Sequence, residues 1–507
     1  MAEAIQNIAI IGGGTAGWIA AAMLTRALGD SVAIRLIESE EIGTVGVGEA
    51  TIPTMLALNQ FLRIDENEML KHTQGTIKLG IEFRDWYQRG HTYTHMFGTF
   101  GYNLGILPFY QYWLKRHLDG AANAGSLWDY CFNQQAARQN RFTRVDRIPE
   151  SPLEGLVHAF QFDAVLYARF LRSISEASGV TRTEGRVTGV NLRSDDGFIE
   201  SVTLQSGEIV AADMFIDCSG FRGLLIEDAL HAGYEDWTHW LPCDRAVAVP
   251  CKSVMPLTPV TRSTAHDAGW QWRIPLQHRI GNGHVFSSAF TTAEAATATL
   301  MANLDGEPLA DPRVLSFVTG RRKTSWIGNC LALGLASGFM EPLESTSIHL
   351  VQSGMTRFLT LFPDKGFNPV EIGEYNRQTQ LEYERIRDFI ILHYKATQRD
   401  DSAFWNHVRT MPVPDTLNEK IELFREHGRL VIAPDDLFKE MSWVQVLIGQ
   451  GIMPRAASPL TRVLSDAQID EVMANLKTII NRAAGSLPDH AAFLNRFAKA
   501  ASGAAAA

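Results

Sequence analysis

The first apolar positions of the chain form a short run that ends in a cluster of glycines. Residues 8–11 are apolar, residues 12–18 read GGGTAGW, and apolar residues at helical spacing follow over 19–28. A second strand is predicted over 32–37 and closes on Glu38. A strand, a G-x-G-x-x-G turn, a helix, a second strand and an acidic residue about twenty positions on form the dinucleotide-binding fingerprint. The pattern therefore predicts a nucleotide-binding unit at the start of the chain.

Within this fingerprint the residue types fit the contacts that a dinucleotide needs. The predicted contact residues are Gly12, Gly14, Thr15, Ala16, Gly17 and Glu38. The glycines permit a tight turn and let the backbone reach a pyrophosphate at the helix start. The carboxylate of Glu38 is expected to accept a hydrogen bond from a ribose hydroxyl.

Farther along the chain, short strand patterns give way to helical ones. Turn signals at 195–197 and 206–207 divide residues 187–212 into a β-meander, and the buried run 214–220 is predicted to return to the nucleotide sheet. More strands are predicted between 247 and 289, residues 76–86 partly alternate, and the aromatic stretch 90–120 is interpreted as a loop lining a substrate cleft. Helices are predicted over 53–62, 163–177, 371–397, 417–427, 443–447 and 466–483.

The pattern contains neither an internal repeat nor a structureless linker. We therefore expect the helical C-terminal part to pack on the α/β part as one body. The predicted division is a nucleotide-binding and β-sheet core over residues 1–368 and a helical, substrate-covering subdomain over residues 369–507.

A second helix start lies in the stretch 331–362. A buried apolar run leads into Glu344, and Ser345, Thr346 and Ser347 are residue types that favour an N-cap. Apolar residues then recur at helical spacing from Ile348. A helix start presents unpaired N–H groups and can bind an anion. The alternative is a capped helix whose dipole Glu344 stabilises.

Two other features have both a structural and a functional interpretation. Lys78 interrupts apolar neighbours, and a solvated lysine on a strand would explain it. Trp270, Trp272 and Ile274 share one face of a predicted strand. An aromatic face of this kind is either core or the wall of a site.

Composition and charge exclude several classes of partner. The net charge is −10 without a dense Lys/Arg run, which argues against nucleic acid and anionic membranes as main partners. Five scattered cysteines without CxxC spacing indicate buried thiols, not a metal site or a disulfide framework. No apolar run is long enough to cross a bilayer, and no signal peptide pattern leads the chain. A cytoplasmic location is therefore expected.

Four motifs together resemble the flavin-dependent halogenases of the tryptophan halogenase family. They are GGGTAGW at 12–18, IKLGIEF around Lys78, WQWRIP at 270–275 and EPLESTS at 341–347, and the segments 46–51 and 217–222 also match. The likeness covers nearly the whole chain. It implies an α/β fold with a Rossmann-like FAD module of the flavin monooxygenase type, an inserted β-sheet substrate part and a C-terminal helical subdomain.

The resemblance also implies a mechanism. Reduced FAD from a separate NADH-dependent reductase reacts with O₂ to a flavin hydroperoxide, which a halide, chloride or bromide, converts to hypohalous acid. That acid reaches Lys78, which holds it by a hydrogen bond or as a haloamine, and Glu344 positions it and helps to take the ring proton. The backbone at Thr346 and Ser347 would bind the halide. Ser347 stands where many members have glycine, but its N–H remains.

Further site residues follow from the resemblance. The FAD contacts extend to Gly48, Glu49, Ala50, Val187, Asp217 and Leu335. Trp270, Trp272, Ile274 and Pro275 would separate flavin from substrate. His95, Phe97 and Trp443 would line the substrate pocket.

The substrate expected from these residues is a small indole-like aromatic compound. Free tryptophan is not expected, because residues 442–445 lack the tyrosine pair and acidic groups of members that bind its amino-acid end. Two other functions stay open: an aromatic hydroxylase that uses the same oxidant, and a non-catalytic flavin-binding redox sensor. The enzyme is expected to be a monomer or a homodimer.

Overall fold

The computed structural model describes residues 3–41 and 48–500, which form an α/β fold as predicted. The helices in these residues are α1 (Thr15–Leu28), α2 (Thr54–Leu62), α3 (Glu66–His72), α4 (Phe109–Leu118), α5 (Phe132–Arg138), α6 (Ala164–Ala177), α7 (Ala293–Ala302), α8 (Ser347–Thr360), α9 (Pro369–Lys395), α10 (Ala403–Thr410), α11 (Asp415–His427), α12 (Glu440–Gly449), α13 (Asp466–Ser486) and α14 (His490–Phe497).

The strands are short and distributed over several sheets. They are β1 (Asn7–Ile11), β2 (Ala33–Glu38), β3 (Gly48–Ala50), β4 (Thr76–Lys78), β5 (Gly80–Arg84), β6 (Thr92–Met96), β7 (Ala159–Asp163), β8 (Thr181–Glu184), β9 (Val187–Leu192), β10 (Ile199–Leu204), β11 (Ile209–Ala211), β12 (Met214–Asp217), β13 (Tyr234–Asp236), β14 (Arg245–Lys252), β15 (Thr261–His266), β16 (Gly269–Pro275), β17 (Arg279–Phe286), β18 (Arg313–Ser316), β19 (Gly320–Arg322), β20 (Trp326–Ile327), β21 (Cys330–Ala332) and β22 (Gly338–Phe339).

The nucleotide-binding unit is built on a six-stranded sheet with the order β20-β21-β12-β1-β2-β8. β1 pairs in parallel with both β2 and β12, and α1 connects β1 to β2. The prediction that the run over 214–220 returns to this sheet is thus confirmed. The predicted β-meander is confirmed as the antiparallel sheet β11-β10-β9.

The second large sheet has seven strands in the order β18-β14-β17-β16-β15-β5-β6. Every residue of β16 is buried, since β16 lies between β15 and β17 and both of its faces are covered. The charged side chain of Arg273 tolerates this burial because it pairs with Asp305. The aromatic face predicted for Trp270 and Trp272 therefore lies inside the molecule.

The strand predicted over 76–86 is two strands in different sheets. β4 pairs with β7 in a three-stranded sheet, whereas β5 joins the seven-stranded one. Gly80 lies at the crossing point, where an added Cβ would be 2.5 Å from the carbonyl oxygen of His95. Lys78 consequently lies at the junction of two sheets instead of on a solvated strand.

The interpretation of residues 90–120 as a loop was wrong. This stretch contains β6 and α4, and the first six residues of α4 are buried. Its aromatic residues supply the apolar surface that anchors both elements, which the lack of a clean period concealed.

The C-terminal helices pack into the core instead of only covering it. α9 has 27 residues, and all side chains from Ile386 to Tyr394 are buried. The apolar side chains among them share one hydrophobic cluster with Ile8 and Ile10 of the nucleotide sheet and with Trp270, as expected for one packed body. The boundary at residues 368 and 369 stays a prediction, and α10 and α14 were not predicted. None of the described helices combines the length and the apolar character needed to cross a membrane.

Candidate active site

The start of α8 is the element around which the site is arranged. Pro342–Glu344 forms a 3-10 turn, Ser345 has a left-handed backbone with φ of 59°, and α8 begins at Ser347 with Thr346 as N-cap residue. The side chain of Thr346 makes no capping hydrogen bond, and the first turn of α8 carries no acidic residue. The alternative of a side-chain-capped helix is therefore wrong. The first turn remains suited to an anion.

Lys78 is fully buried directly beside this turn. Its Nζ donates a hydrogen bond to Oγ of Ser345 at 2.7 Å and lies 5.6 Å from the centroid of the Phe97 ring. Burial lowers the pKa of Lys78 to about 7, against the opposing effect of the charges of Glu344 and Glu49. The interpretation of Lys78 as a solvated lysine is therefore wrong.

Glu344 is also buried, and it lies between two imidazoles. Its Oε2 is 2.9 Å from Nδ1 of His95, and its Oε1 is 2.8 Å from Nε2 of His393. Burial raises the pKa of Glu344, but His95 and His393 outweigh this and bring it to about 2. At neutral pH the carboxyl is consequently ionised and can accept a proton.

A second carboxylate acts on Lys78 from the other side. Glu49 in β3 has its pKa raised to about 7 by burial, although the charge of Lys78 works in the opposite direction. Lys78 therefore responds to two carboxyl groups, while its own hydrogen bond goes to the hydroxyl of Ser345.

The structure brings the predicted substrate residues to the same place. His95 contacts the ring of Phe389 at 5.6 Å and that of Phe438 at 6.2 Å between centroids. Trp443 lies 5.0 Å from Phe389, edge to face, so it joins His95 through this ring. Phe97 reaches the site through its contact with Lys78.

Two residues of α9 belong to this site but were not predicted from the sequence. Phe389 and His393 are four residues apart and thus on one helix face, and both rings approach each other at 5.3 Å. The helical spacing was available as a signal, but it gives no indication of which partner the face meets. His393 is fully buried and holds Glu344 from the side opposite His95.

Trp270, Trp272, Ile274 and Pro275, the wall predicted between flavin and substrate, are joined to a buried glutamate through Trp270. Nε1 of Trp270 donates to Oε2 of Glu341 at 2.8 Å, and the hydroxyl of Tyr394 donates to the same oxygen at 2.5 Å. Burial raises the pKa of Glu341 to about 7 against the effect of these hydrogen bonds. The rings of Trp270 and Trp272 lie 6.3 Å apart. A fixed pair of indoles thus lies behind the turn that carries Glu344.

The other end of the wall contacts the predicted flavin strand. A Cβ added to Gly48 in β3 would be 3.4 Å from Cγ2 of Ile274. Pro275 follows in β16, and its carbonyl accepts a hydrogen bond from the hydroxyl of Thr76 at 2.6 Å. The wall therefore extends from Glu341 to β3. Gly46 and Val47, which precede this strand in the matching motif, lie outside the described residues.

The glycine turn packs so closely against its neighbours that side chains on its glycines would clash. An added Cβ on Gly12 would be 2.3 Å from the carbonyl oxygen of Cys218, and one on Gly13 would be 1.5 Å from Oε2 of Glu38. On Gly17 it would be 1.9 Å from the carbonyl oxygen of Gly12. α1 starts at Thr15 after Gly14, with neither a side-chain cap nor an acidic residue in its first turn. These features fit a pyrophosphate at the start of α1.

Other predicted flavin contacts surround this turn in different ways. Glu38 forms an ion pair with Arg182. The carboxylate of Asp217 accepts hydrogen bonds from the backbone of Ser219, Leu225 and Ile226, so it shapes the loop beside the glycine turn.

Three more of these residues differ in their surroundings. Val187 starts β9 with its side chain in a hydrophobic cluster. Leu335 is half-buried in the turn Gly334–Ala336. An added Cβ on Gly334 would be 2.8 Å from that of Ala16 in α1, so this turn closes on the helix start.

Comparison with known proteins agrees with this arrangement. The tryptophan halogenase family matches over residues 7–466. Tryptophan 7-halogenase RebH of Lentzea aerocolonigenes is 35% identical, with 98% of this chain and 99% of that protein covered. Among solved structures, Xcc4156, a flavin-dependent halogenase from Xanthomonas campestris, has 45% identity and a TM-score of 0.94 over 98% of this chain and 99% of that chain. BrvH, a flavin-dependent halogenase from Brevundimonas sp. BAL3, has 42% identity and a TM-score of 0.93 over 97% and 99%.

The similarity extends over almost the full length of these relatives, so it includes both the nucleotide-binding sheet and the C-terminal helices. It identifies an enzyme of the oxidoreductase type with the fold of flavin-dependent halogenases. The chain belongs to the tryptophan halogenase family.

Proposed function

We propose that the chain is an FADH₂-dependent halogenase that transfers halogen from hypohalous acid through Lys78 to an indole-like aromatic substrate. The observation that carries the proposal is the buried amine of Lys78 beside the ionised carboxylate of Glu344 at the start of α8. A structural ion pair would place the two charges in contact. Lys78 instead bonds the neutral hydroxyl of Ser345.

The glycine turn at residues 12–17 would hold FAD, with Glu38 at the ribose and β3 beside the wall. When bound as FADH₂, this cofactor supplies hypohalous acid from O₂ and a halide ion. The backbone of Thr346 and Ser347 would hold that halide at the positive end of the α8 dipole. FADH₂ would come by diffusion from a separate NADH-dependent reductase, because the sequence has a single dinucleotide fingerprint.

Lys78 would receive the halogen on its side chain. With a pKa of about 7, an appreciable fraction of its amine is neutral at physiological pH and has a lone pair. Such an amine can take the halogen of hypohalous acid and release water, or hold the acid through a hydrogen bond. An electron-rich ring then attacks the halogen, and the electrons of the broken bond return to the nitrogen or oxygen that carried it.

Glu344 would complete the reaction by accepting a proton. Attack by the ring leaves a ring cation whose halogenated carbon still bears hydrogen. The ionised carboxylate stabilises this charge and takes the proton, which restores the aromatic ring. His95, bonded to the other carboxylate oxygen, fixes its orientation.

The wall would keep the flavin away from the substrate. Trp270 and Trp272 fill the space behind Glu341, and Ile274 and Pro275 continue the wall to β3. Bulky side chains at these positions favour transfer through Lys78 over direct oxygenation of the substrate. Trp270 is held in place by Glu341, which accepts its indole N–H.

The predicted substrate lacks a free amino-acid end. Lys420 places its Nζ 5.4 Å from the centroid of the Trp443 ring, so an ammonium group beside this ring would meet a cation instead of an anion. The side chain of Gln445 is occupied by the backbone of Met96, to which it both donates and accepts. Both observations favour indole or a larger indole-bearing compound.

Mass spectrometry of an aromatic library incubated with FAD, a flavin reductase, NADH and bromide tests the proposal. The expected result is a product with the isotope pair of bromine. Oxygenated product without bromine would instead establish the aromatic hydroxylase. Flavin binding without any turnover would establish the non-catalytic sensor.

A further inference from the structure

His393 places its Nε2 beside a buried oxygen of Glu344 without an aligned hydrogen bond between them. Its Nδ1 lies 2.9 Å from the carbonyl oxygen of Phe389, which can only accept, so Nδ1 carries a proton. Its Nε2 lies 2.8 Å from Oε1 of Glu344. In neutral histidine Nε2 is then an acceptor that faces a carboxylate oxygen. The two atoms are buried and make no aligned hydrogen bond as placed, and the close approach of two acceptors costs free energy.

We propose that His393 is an imidazolium beside Glu344, and that its positive charge offsets the charge of the carboxylate and so favours the neutral amine of Lys78. The inference rests on the proposed function, because only a halogen acceptor needs a lone pair on Lys78. His393 is a positioning residue in this account, since it acts on Lys78 through Glu344.

The surroundings of His393 are suited to a cation. The ring centroid of Phe83 lies 4.9 Å and that of Trp86 lies 6.1 Å from the imidazole, and the Phe389 ring follows at 5.3 Å. Aromatic rings attract a cation electrostatically, and more strongly where water is excluded. The imidazole is fully buried among these rings.

Other titratable groups face Glu344 and define its charge state. His95 approaches from β6 at 2.9 Å, and Lys78 acts from β4 through its charge. Tyr93, also in β6, has its pKa raised by burial and by the charge of Glu344, so it stays neutral. The carboxyl of Glu344 has its pKa lowered to about 2, so it stays ionised beside His393.

Lys78 in turn experiences Glu344 and Glu49, and both favour its charged form. Burial opposes them. A cationic His393 reduces the effect of one of these two carboxylates. The amine then reacts as R–NH₂ with hypohalous acid, in which the N–H proton and the hydroxyl leave as water while the nitrogen–halogen bond forms.

An NMR titration tests the inference without turnover. In the full-length protein with FAD, ¹³Cε-labelled lysine reports the pKa of Lys78, and the Lys78→Met protein identifies its signal. His393→Gln keeps an amide donor toward Glu344 but removes the charge. We expect the pKa of Lys78 to rise by about one unit or more, in line with the effect of one nearby charge. The acid limb of the pH–rate profile for bromination should move upward by the same amount.

His349→Gln is the matched control. Nε2 of His349 lies 3.0 Å from Oε1 of Glu382, so this variant removes a similar His–Glu contact between α8 and α9 outside the site. The pKa of Lys78 should not change in it. An unchanged pKa of Lys78 in His393→Gln would overturn the inference.

The wild-type protein provides a second readout if His393→Gln does not fold. ¹⁵N-histidine spectra show whether both nitrogens of His393 carry protons. We expect a doubly protonated ring at pH 7, and a ring without a proton on Nε2 would contradict the inference. These spectra need no halide or substrate, so their result is independent of whether the enzyme halogenates.

Discussion

At the scale of single residues, burial changes ordinary side chains into groups suited to the reaction. Lys78 has a pKa near neutrality because it is removed from water, and Glu344 stays ionised because two imidazoles face it. Neither the lowered pKa of Lys78 nor the ionised state of Glu344 can be predicted from the identity of the amino acid alone. Both follow from the junction of two sheets at Lys78 and from the position of α9 behind Glu344.

Replacing Glu344 by glutamine tests its role as proton acceptor. The amide keeps the shape and can still bond to His95, but it removes the negative charge. We expect the rate of halogenation to fall by about a hundred-fold or more, the usual cost of one well-placed electrostatic contact, with some product remaining. The measurement is product formation at saturating substrate, with FAD affinity as the control. A rate close to that of the wild type would show that Glu344 is not the proton acceptor.

The sequence motifs identify Lys78, Glu344 and His95 but not His393. The first three lie in or beside segments whose spacing matches the family, whereas His393 lies within a long helix that is otherwise ordinary. Its importance depends on a contact with a residue 49 positions earlier in the chain, and periodicity contains no information about such contacts.

At the scale of elements, the uncapped start of α8 and the buried strand β16 define the two sides of the site. α8 offers backbone N–H groups because no side chain caps it. β16 is fixed by its neighbours and by Glu341, so its indoles have little freedom to move. Each element supports a separate prediction.

A carboxylate at the first position of α8 should compete with the halide. Ser347→Asp places negative charge where the account places bromide, and the helix dipole tolerates it. We expect the KM for bromide to rise by about ten-fold or more, because 1.4 kcal/mol of competing interaction corresponds to a factor of ten. Ser347→Gly is the matched control, since it keeps the N–H and should leave this KM close to the wild-type value. If both variants had the same KM for bromide, the halide would not bind at this position.

Glu341 should make the stability of the protein dependent on pH. Its pKa rises from 4.5 to about 7 on folding, so its stabilising contribution is complete below pH 4.5 and is lost as the pH rises through 7. Glu341→Gln retains an acceptor for Trp270 and Tyr394 and removes this loss. Relative to wild type, the variant should gain a few kcal/mol of unfolding free energy between pH 5 and pH 8, at about 1.4 kcal/mol per unit. Denaturant titrations at pH 5 and pH 8 measure the unfolding free energy of both proteins. If it changed equally with pH in the two proteins, Glu341 would not titrate in this range.

Most elements could be predicted from the sequence, and the errors over residues 76–86 and 90–120 have a common cause. The nucleotide unit, the β-meander and the longer helices follow clear periods. Residues 76–86 and 90–120 do not, because most residues of their strands are buried whichever face they point to, and their aromatic residues leave no regular alternation.

At the scale of the whole molecule, α9 joins the C-terminal helices to the sheets and contributes to the site itself. Its last turns supply Phe389, His393 and Tyr394, which contact the substrate region, Glu344 and Glu341 respectively. Substrate pocket and catalytic groups therefore share one packed core. The sequence predicts the C-terminal helices as a subdomain that covers the substrate. That division does not reveal that α9 contributes side chains to the catalytic site.

Substrate preference tests the pocket that these helices form. Indole should give a higher yield of brominated product than free tryptophan under identical conditions, because Lys420 lies near Trp443 and repels an ammonium group. Side-by-side assays with both compounds measure the preference. A clear preference for tryptophan would contradict the description of this pocket.

Halogen transfer by the Lys78→Met protein is the most direct test of the central claim. Methionine fills the buried space without an amine, so the flavin site should remain intact. We predict unchanged FAD affinity and unchanged oxidation of FADH₂ by O₂, together with at least about a hundred-fold less brominated product per FADH₂ consumed. Bromination at a rate near that of the wild type would show that Lys78 is only a structural lysine and would contradict the account.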